Sequence, residues 1–169
     1  MVHLDLGNLN LGSYNLPNDQ RLKDVTADFV EAGVACTVAD DLYALRWQKL
    51  IWNITFNGMS VVLDAQTDEL VNLPSTCELA RELMLEVIHA ARHCGVAIPE
   101  KSVDGMIEMT KNMKVSYAPS MKLDFDNRRP MEIKAIYSNP LAEAARHGFQ
   151  MTRVAMLEKQ LQFIARNKY

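Results

Sequence analysis

The sequence predicts a mainly helical fold preceded by a short mixed α/β segment, and three observations support this prediction. Residues 1–39 contain alternating apolar residues and a short β-branched run, which are typical of strands. In residues 40–169, apolar residues recur at three- and four-residue steps, as they do on amphipathic helices. The hydrophobic fraction of 49% and the charged fraction of 23% are ordinary for a globular protein. We therefore predict two domains that divide between residues 39 and 40.

The N-terminal segment is predicted to fold as two strands, a helix and another strand. Apolar residues alternate on both sides of Gly7-Asn8, which indicates a short hairpin or a pair of strands. A helix follows and ends at Gly33, and the apolar run at residues 34–38 suits a strand. So few elements cannot bury both faces of a sheet. We therefore expect residues 1–39 to be the tail of a larger α/β domain.

The rest of the sequence predicts helices only. Asp40 and Asp41 suit the N-terminus of a long helix that runs to about Asp64, because the helix dipole favours carboxylates there. Later helices are indicated by caps, by prolines that fit a first turn and by helical apolar spacing. The predicted caps are Thr67 and Ser75, the first-turn prolines are Pro119, Pro130 and Pro140, and the most regular spans are residues 76–94, 102–114 and 151–166.

Composition and charge exclude several classes of protein. The net charge of −3 disfavours a nucleic-acid partner, because a phosphate-binding surface needs an excess of Lys and Arg. No apolar run reaches the roughly 20 residues of a membrane span, and the N-terminus lacks a signal-peptide pattern, so we predict a cytoplasmic protein with no membrane partner. Three scattered cysteines match no disulfide framework or zinc motif. His89 and His93 have metal-ligand spacing without an evident third ligand, so no metal site is predicted.

One helical stripe carries an unusual set of polar residues. Lys49, Asn53, Asn57, Ser60 and Asp64 follow steps of four, four, three and four along an otherwise apolar segment. A solvated face would explain the stripe, but such faces favour better helix formers, and Asn costs roughly 0.5 kcal/mol relative to Ala in a helix interior. Amides that both donate and accept hydrogen bonds suit a cleft that binds a carbonyl, hydroxyl or carboxylate. The pattern alone leaves both interpretations open.

A second candidate segment spans residues 117–138. Ser120 follows Pro119 and is predicted to cap a helix, where a hydroxyl and helix-end amides suit a carboxylate ligand. Glu132 lies shortly after Pro130, in a predicted first turn where the helix dipole favours a carboxylate in any case. Each of these residues, taken alone, is more often a cap than a catalytic group.

Two motifs in this order resemble a known family. RWQKLIWNITFN at residues 46–57 and SMKLDFDNRRPMEI at residues 120–133 resemble ketopantoate reductases (2-dehydropantoate 2-reductases), and NPLAEAARHG at residues 139–148 also fits. That family carries a K-L-x-x-N-x-x-x-N helix, then S-M-x-x-D and an acidic residue; here Ser120 and Glu132 are twelve positions apart, as in the family. The resemblance overturns the interpretation of the stripe as a solvated face. It implies a multi-helix C-terminal domain of the 6-phosphogluconate-dehydrogenase-like type, preceded by a short α/β remnant of a Rossmann domain.

The resemblance implies a role for five residues of these motifs. Lys49 would be the general acid that protonates the ketone oxygen as hydride arrives, a task that partial burial of the ammonium would assist. Asn53 and Asn57 would hold the oxygens of the substrate, and Ser120 would bind its carboxylate. Glu132 would contact substrate or cofactor and help to orient Lys49. The implied reaction is the NADPH-dependent reduction of 2-dehydropantoate to pantoate.

The nucleotide site implied by the resemblance is not evident in this sequence. A dinucleotide site needs a strand, a G-x-G-x-x-G turn and a helix, and the seven glycines form no such motif. We therefore expect NADPH to bind the full-length parent, and this chain alone to be inactive, as an expressed fragment or a truncated reading frame. Tyr117 and Thr67 replace Asn residues that family members carry on the substrate side. A related 2-keto acid is therefore an alternative substrate.

Two other functions remain open. The chain is alternatively a non-catalytic helical module of this family that binds a ligand or dimerises. It is alternatively part of another dehydrogenase, such as a 3-hydroxy-acid enzyme, since those also place a Lys and an Asn four apart on a long helix. The S-M-x-x-D segment and Glu132 favour the 2-keto-acid reductase. Its expected partners are a small 2-keto acid, an N-terminal nucleotide-binding domain and, optionally, a second copy in a homodimer.

Overall fold

The computed structural model describes residues 8–14, 17, 19–113 and 118–168. Over these residues the fold is mainly helical with a small two-stranded sheet, so the predicted fold class is confirmed. The chain forms two compact units, Met1–Arg46 and Trp47–Tyr169. No helix among the described residues combines the length and the apolar character needed to cross a membrane.

The first unit contains two parallel strands joined by a helix. These elements are β1 (Leu9–Leu11), α1 (Gln20–Glu31) and β2 (Cys36–Val38). Leu9 pairs with Cys36 and Leu11 with Val38. Parallel strands need a crossover connection, and α1 provides it. The predicted hairpin around Gly7-Asn8 falls largely outside the described residues, and β1 pairs with β2.

The long helix of the chain begins where the sequence predicts. α2 (Leu42–Val62) follows Asp41, whose Oδ1 accepts hydrogen bonds from the amides of Tyr43 at 2.8 Å and Ala44 at 3.0 Å. A carboxylate in this position satisfies amides that the helix leaves without partners. The remaining elements are α3 (Thr67–Asn72), α4 (Pro74–His93), α5 (Ser102–Lys111), α6 (Ser120–Asp126), a π-helical turn (Lys134–Ser138), α7 (Asn139–Arg146) and α8 (Thr152–Lys168).

The middle of α2 lies in the core of the second unit. Its residues from Ile54 to Val61 are all buried. Tyr137 of the π-helical turn donates a hydrogen bond from its hydroxyl to the Ile54 carbonyl at 2.8 Å. A Cβ added to Gly58 would lie 2.5 Å from both the Tyr137 hydroxyl and the Leu157 side chain of α8. The glycine therefore permits the close packing of α2 against the π-helical turn and α8.

Several predicted helix starts are wrong. Gln66, and not Thr67, caps α3 in a capping box with Glu69, because the paired side chains satisfy each other's backbone amides while Thr67 is buried. α4 starts at Pro74, one residue before Ser75, since a proline fits the first turn without a side-chain cap. Pro130 opens no helix.

A tight turn explains why helical structure does not begin at Pro130. The Ile133 amide donates to the Met131 carbonyl at 2.8 Å, so the chain turns before helical structure resumes at residue 133. Glu132 therefore precedes the π-helical turn and does not lie within a first turn opened by Pro130. A proline is compatible with a helix start but does not create one.

Candidate active site

The polar stripe of α2 does not keep one environment along its length. Lys49 is exposed and Asn53 is half-buried, whereas Asn57 and Ser60 are 1% and 0% exposed. Asp64, just beyond the helix, is exposed again. The stripe therefore enters the core and leaves it, and a solvated face does not describe it. The partial burial expected for Lys49 is not provided by the described residues, because they cover α2 further along.

Asn57 joins the two sequence motifs. Its Oδ1 accepts a hydrogen bond from the backbone amide of Met121 at 3.0 Å, across 64 positions of sequence. Met121 is buried, and Ser120, the first residue of α6, is exposed directly beside it. The structure thus places the start of α6 against the stripe. The amide oxygen of Asn57 is committed to this contact, and a role toward substrate stays a prediction.

Ser120 begins α6 without capping it. Pro119 occupies the cap position, and no side chain of α6 itself makes a cap hydrogen bond. The predicted Ser120 cap is therefore wrong, because Asn57 of α2 supplies the acceptor for the Met121 amide. The Ser120 hydroxyl is instead displayed on the surface, where a ligand can reach it.

The sequence pattern did not identify a buried lysine within the second motif. Lys122 of α6 is 5% exposed, and its Nζ lies 2.8 Å from Asp64 and 2.5 Å from Asp126. Burial by itself lowers the pKa of Lys122, but the hydrogen bonds to Asp126 and Asp64 outweigh that effect and raise the pKa. The only sequence signal was the four-residue spacing from Lys122 to Asp126, which usually marks a surface pair.

The remaining candidate groups differ in accessibility. Glu132, like Lys49, is exposed, and the roles of both residues stay predictions. Tyr137 is fully buried, its hydroxyl is bonded to a backbone carbonyl, and burial raises its pKa far above the usual range. This tyrosine therefore supports the fold and is unsuited to proton transfer. Of the five residues to which the resemblance assigns a role, Lys49, Asn53, Ser120 and Glu132 are accessible and Asn57 is buried.

Comparison with known proteins places these motifs in one family. The family described as "Ketopantoate reductase PanE/ApbA C terminal" matches residues 41–165. A 2-dehydropantoate 2-reductase from Nostoc sp. is 40% identical over 167 residues, which are 96% of this chain and 52% of that protein.

Solved structures agree with this family. The 2-dehydropantoate 2-reductase structure from Geobacter metallireducens is 40% identical with a TM-score of 0.86, over 91% of this chain and 52% of that one. The enzyme of the same name from Methylococcus capsulatus is 26% identical with a TM-score of 0.88, over 94% and 51% of the two chains. The chain thus spans about half the length of these relatives. With residues 41–165 matched by the family's C-terminal domain, the chain belongs to the ketopantoate reductase family.

Proposed function

We propose that this chain provides the substrate-binding and catalytic helical domain of an NADPH-dependent 2-keto-acid reductase that converts 2-dehydropantoate to pantoate or reduces a related keto acid. The hydrogen bond between Asn57 and the Met121 amide is the observation that carries the proposal. It brings together two motifs that are far apart in sequence and that, by resemblance, serve one substrate. Membership of the family gives the reaction class.

The described residues do not fit the pyrophosphate of NADPH. The described elements from Leu9 to Val38 have the parallel strand–helix–strand order of a dinucleotide-binding domain, and we propose that residues 1–39 are the tail of one. However, Asp19 already caps the N-terminus of α1, accepting from the Leu22 amide at 3.3 Å. The hydrogen bond from Arg21 lowers the pKa of Asp19, so a negative charge occupies the place where a phosphate would bind. We therefore propose that the pyrophosphate of the cofactor is held by other parts of the protein.

Each of the five predicted site residues has a proposed role. The exposed ammonium of Lys49 donates a proton to the keto oxygen of the substrate. Asn53 lies four residues further along the same helix face and binds a substrate oxygen with its amide. Asn57 acts mainly on α6, which presents the Ser120 hydroxyl to the substrate carboxylate. Glu132 contacts substrate or cofactor and orients Lys49.

The proposal is tested by NADPH oxidation with the longest reading frame that contains this chain. The substrates are 2-dehydropantoate and a small panel of 2-keto acids. Lys49→Ala is expected to lower turnover by about 10²–10⁴-fold, as loss of a general acid does. Lys111→Ala is the matched control, because Lys111 is an exposed lysine of α5 in no candidate motif. Unchanged turnover in Lys49→Ala would remove this residue from the mechanism.

One observation favours an interaction module as a second candidate. Met156 and Phe163 are 56% and 70% exposed and lie seven positions apart, on one face of α8. Such a face suits a helix–helix contact, including a homodimer. Sedimentation of the chain across a concentration series tests this candidate. A monomer at every concentration that also binds no 2-keto acid would count against any such role.

A further inference from the structure

We propose that Lys122 is a positioning residue that sets the affinity for the 2-keto acid by clamping α6 onto the end of α2. The inference rests on the proposed function, because the group that is positioned is Ser120. Lys122 is neither the predicted general acid nor one of the residues predicted to bind the substrate. It acts through α6, at whose start Ser120 lies.

The Lys122 ammonium is enclosed by groups that fix its position. Its Nζ lies 2.8 Å from Oδ1 of Asp64 and 2.5 Å from Oδ1 of Asp126. The Phe125 ring centroid is 5.6 Å away, within the range of a cation–π contact. A flexible lysine is thus held in one place, although a lysine is ordinarily among the most mobile and least buried side chains.

Asp64 lies at a position where its carboxylate needs a nearby cation. Asp64 lies two positions beyond the last residue of α2 and has a φ of +51°, a left-handed conformation that is unfavourable for most side chains. A carboxylate at a helix C-terminus also meets the negative end of the helix dipole. The dipole disfavours an aspartate here unless a cation offsets it, whereas the left-handed conformation is one that aspartate tolerates better than most residues. Lys122 is that cation, and it reaches Asp64 from another helix.

Two contacts, seven positions apart on the α2 side, hold the first turn of α6. Asn57 accepts from the Met121 amide, and Asp64 binds the Lys122 ammonium. A helix as short as α6 has little stability by itself, so contacts with α2 determine where it lies. Releasing the Lys122 contact leaves the first turn of α6 held by the Asn57 hydrogen bond and the packing of Met121, so its position is less constrained. A shift of this turn displaces the Ser120 hydroxyl.

A purely structural role predicts different behaviour. The carboxylates that Lys122 binds have access to water, with side chains 78% exposed at Asp64 and 42% exposed at Asp126. Lys122→Met keeps most of the side-chain volume, removes the buried charge and leaves both carboxylates hydrated. Removing one partner of an ion pair is costly mainly when the other charge stays buried, and here the remaining carboxylates are exposed to water. The fold is therefore expected to survive this substitution while the position of α6 is relaxed.

The experiment compares Lys122→Met, Lys122→Arg and wild type in the longest reading frame that contains this chain. We expect Lys122→Met to raise KM for the 2-keto acid by about tenfold or more, as a small misplacement of a binding group does. The kcat and the KM for NADPH should change less than about twofold, and Lys122→Arg should recover much of the affinity because it keeps the charge. Lys111→Met is the control for loss of an exposed lysine. A fall in kcat together with similar rises in both KM values would overturn the inference, because it would indicate general destabilisation.

A second measurement tests the role of Lys122 without requiring enzymatic turnover. Hydrogen exchange of the Met121 amide in this chain reports the hydrogen bond to Asn57. Lys122→Met should accelerate exchange at Met121 and its neighbours in α6, with exchange in α4 unchanged. Unchanged protection of α6 would overturn the inference even if a keto acid is turned over. If wild type reduces no keto acid, the proposed function fails, while faster exchange would still show that Lys122 positions α6.

Discussion

Two helices of this molecule, α6 and α8, have N-termini that are held by side chains from other helices, but by different chemistry. Asn57 of α2 gives α6 one neutral acceptor, for the Met121 amide. Glu86 of α4 gives α8 a buried carboxylate, which accepts from the amides of Arg153 at 3.1 Å and Val154 at 2.8 Å. A carboxylate satisfies more donors and offsets the helix dipole.

The two caps suit different roles: the N-terminus of α8 supports the fold, whereas the N-terminus of α6 belongs to the proposed substrate site. Glu86 also accepts from the Thr152 hydroxyl at 3.3 Å, so the start of α8 is closed by protein groups. The start of α6 carries no acidic residue in its first turn, and its external cap is uncharged. A negative charge beside Ser120 would repel a carboxylate substrate. A neutral cap is therefore the choice that suits the proposed site.

The largest effect is expected from removing the charged cap. Glu86→Ala leaves the part-buried amide of Arg153 and the buried amide of Val154 without their acceptor, and we expect the free energy of unfolding to fall by about 3 kcal/mol. Chemical denaturation of the chain measures this. Glu82→Ala is the matched control, because Glu82 binds the exposed side of Arg153 and its loss should cost less than about 0.5 kcal/mol. Similar losses in the two variants would show that the Glu86 cap is unimportant.

Substitutions of Asn57, the neutral cap of α6, are expected to affect stability and substrate binding separately. Asn57→Ala should lower the free energy of unfolding by about 1–2 kcal/mol, since one buried amide loses its acceptor. Asn57→Asp keeps an acceptor of the same shape but adds a negative charge at a position that is 1% exposed. It should therefore weaken 2-keto-acid binding by about tenfold and cost more stability than Asn57→Ala, because a carboxylate is buried with a single amide partner. Calorimetric titration and denaturation measure the two quantities. Unweakened binding in Asn57→Asp would contradict an anionic ligand near Ser120.

The smallest effect concerns pH and the second attachment of α6. The pKa of Lys122 is raised in the folded protein, because its hydrogen bonds to Asp126 and Asp64 outweigh burial, which lowers it. The resulting stabilisation is present below the ordinary lysine pKa of 10.5 and is lost as pH rises through the higher folded value. The difference in unfolding free energy between wild type and Lys122→Met should therefore change only in alkali. A difference that changes between about pH 6 and 8 would point to another group.

Much of the fold was predictable because it depends on local patterns. The fold class, the start of α2 after Asp41 and the end of α1 near Gly33 follow from apolar spacing, dipole and glycine conformation, all of which act over a few residues. The predictions that failed also concern local signals. Thr67 and Ser120 were interpreted as caps by residue type alone, whereas Gln66 and Asn57 supply the acceptors.

The candidate site was predictable only as far as motifs could carry it. Lys49, Asn53, Asn57, Ser120 and Glu132 were identified by spacing and family resemblance, and their catalytic and binding roles stay predictions. The same stripe gave no sign that Asn57 is buried while Lys49 is exposed, because burial depends on which helices cover each turn. Lys122 and Glu86 were missed since charged residues are rarely buried and no pattern distinguishes the few that are.

The helical class, the order of the two motifs and the family follow from the sequence, because they depend on periodicity and residue identity. Three contacts became visible only once the chain was folded: Asn57 with the Met121 amide, Asp64 with Lys122, and Glu86 with the start of α8. Each of these contacts joins residues more than fifty positions apart, and several elements must pack before the partners meet. The sequence shows that Asn57 is neutral and Glu86 is acidic, but the helix that each residue caps depends on how the chain packs.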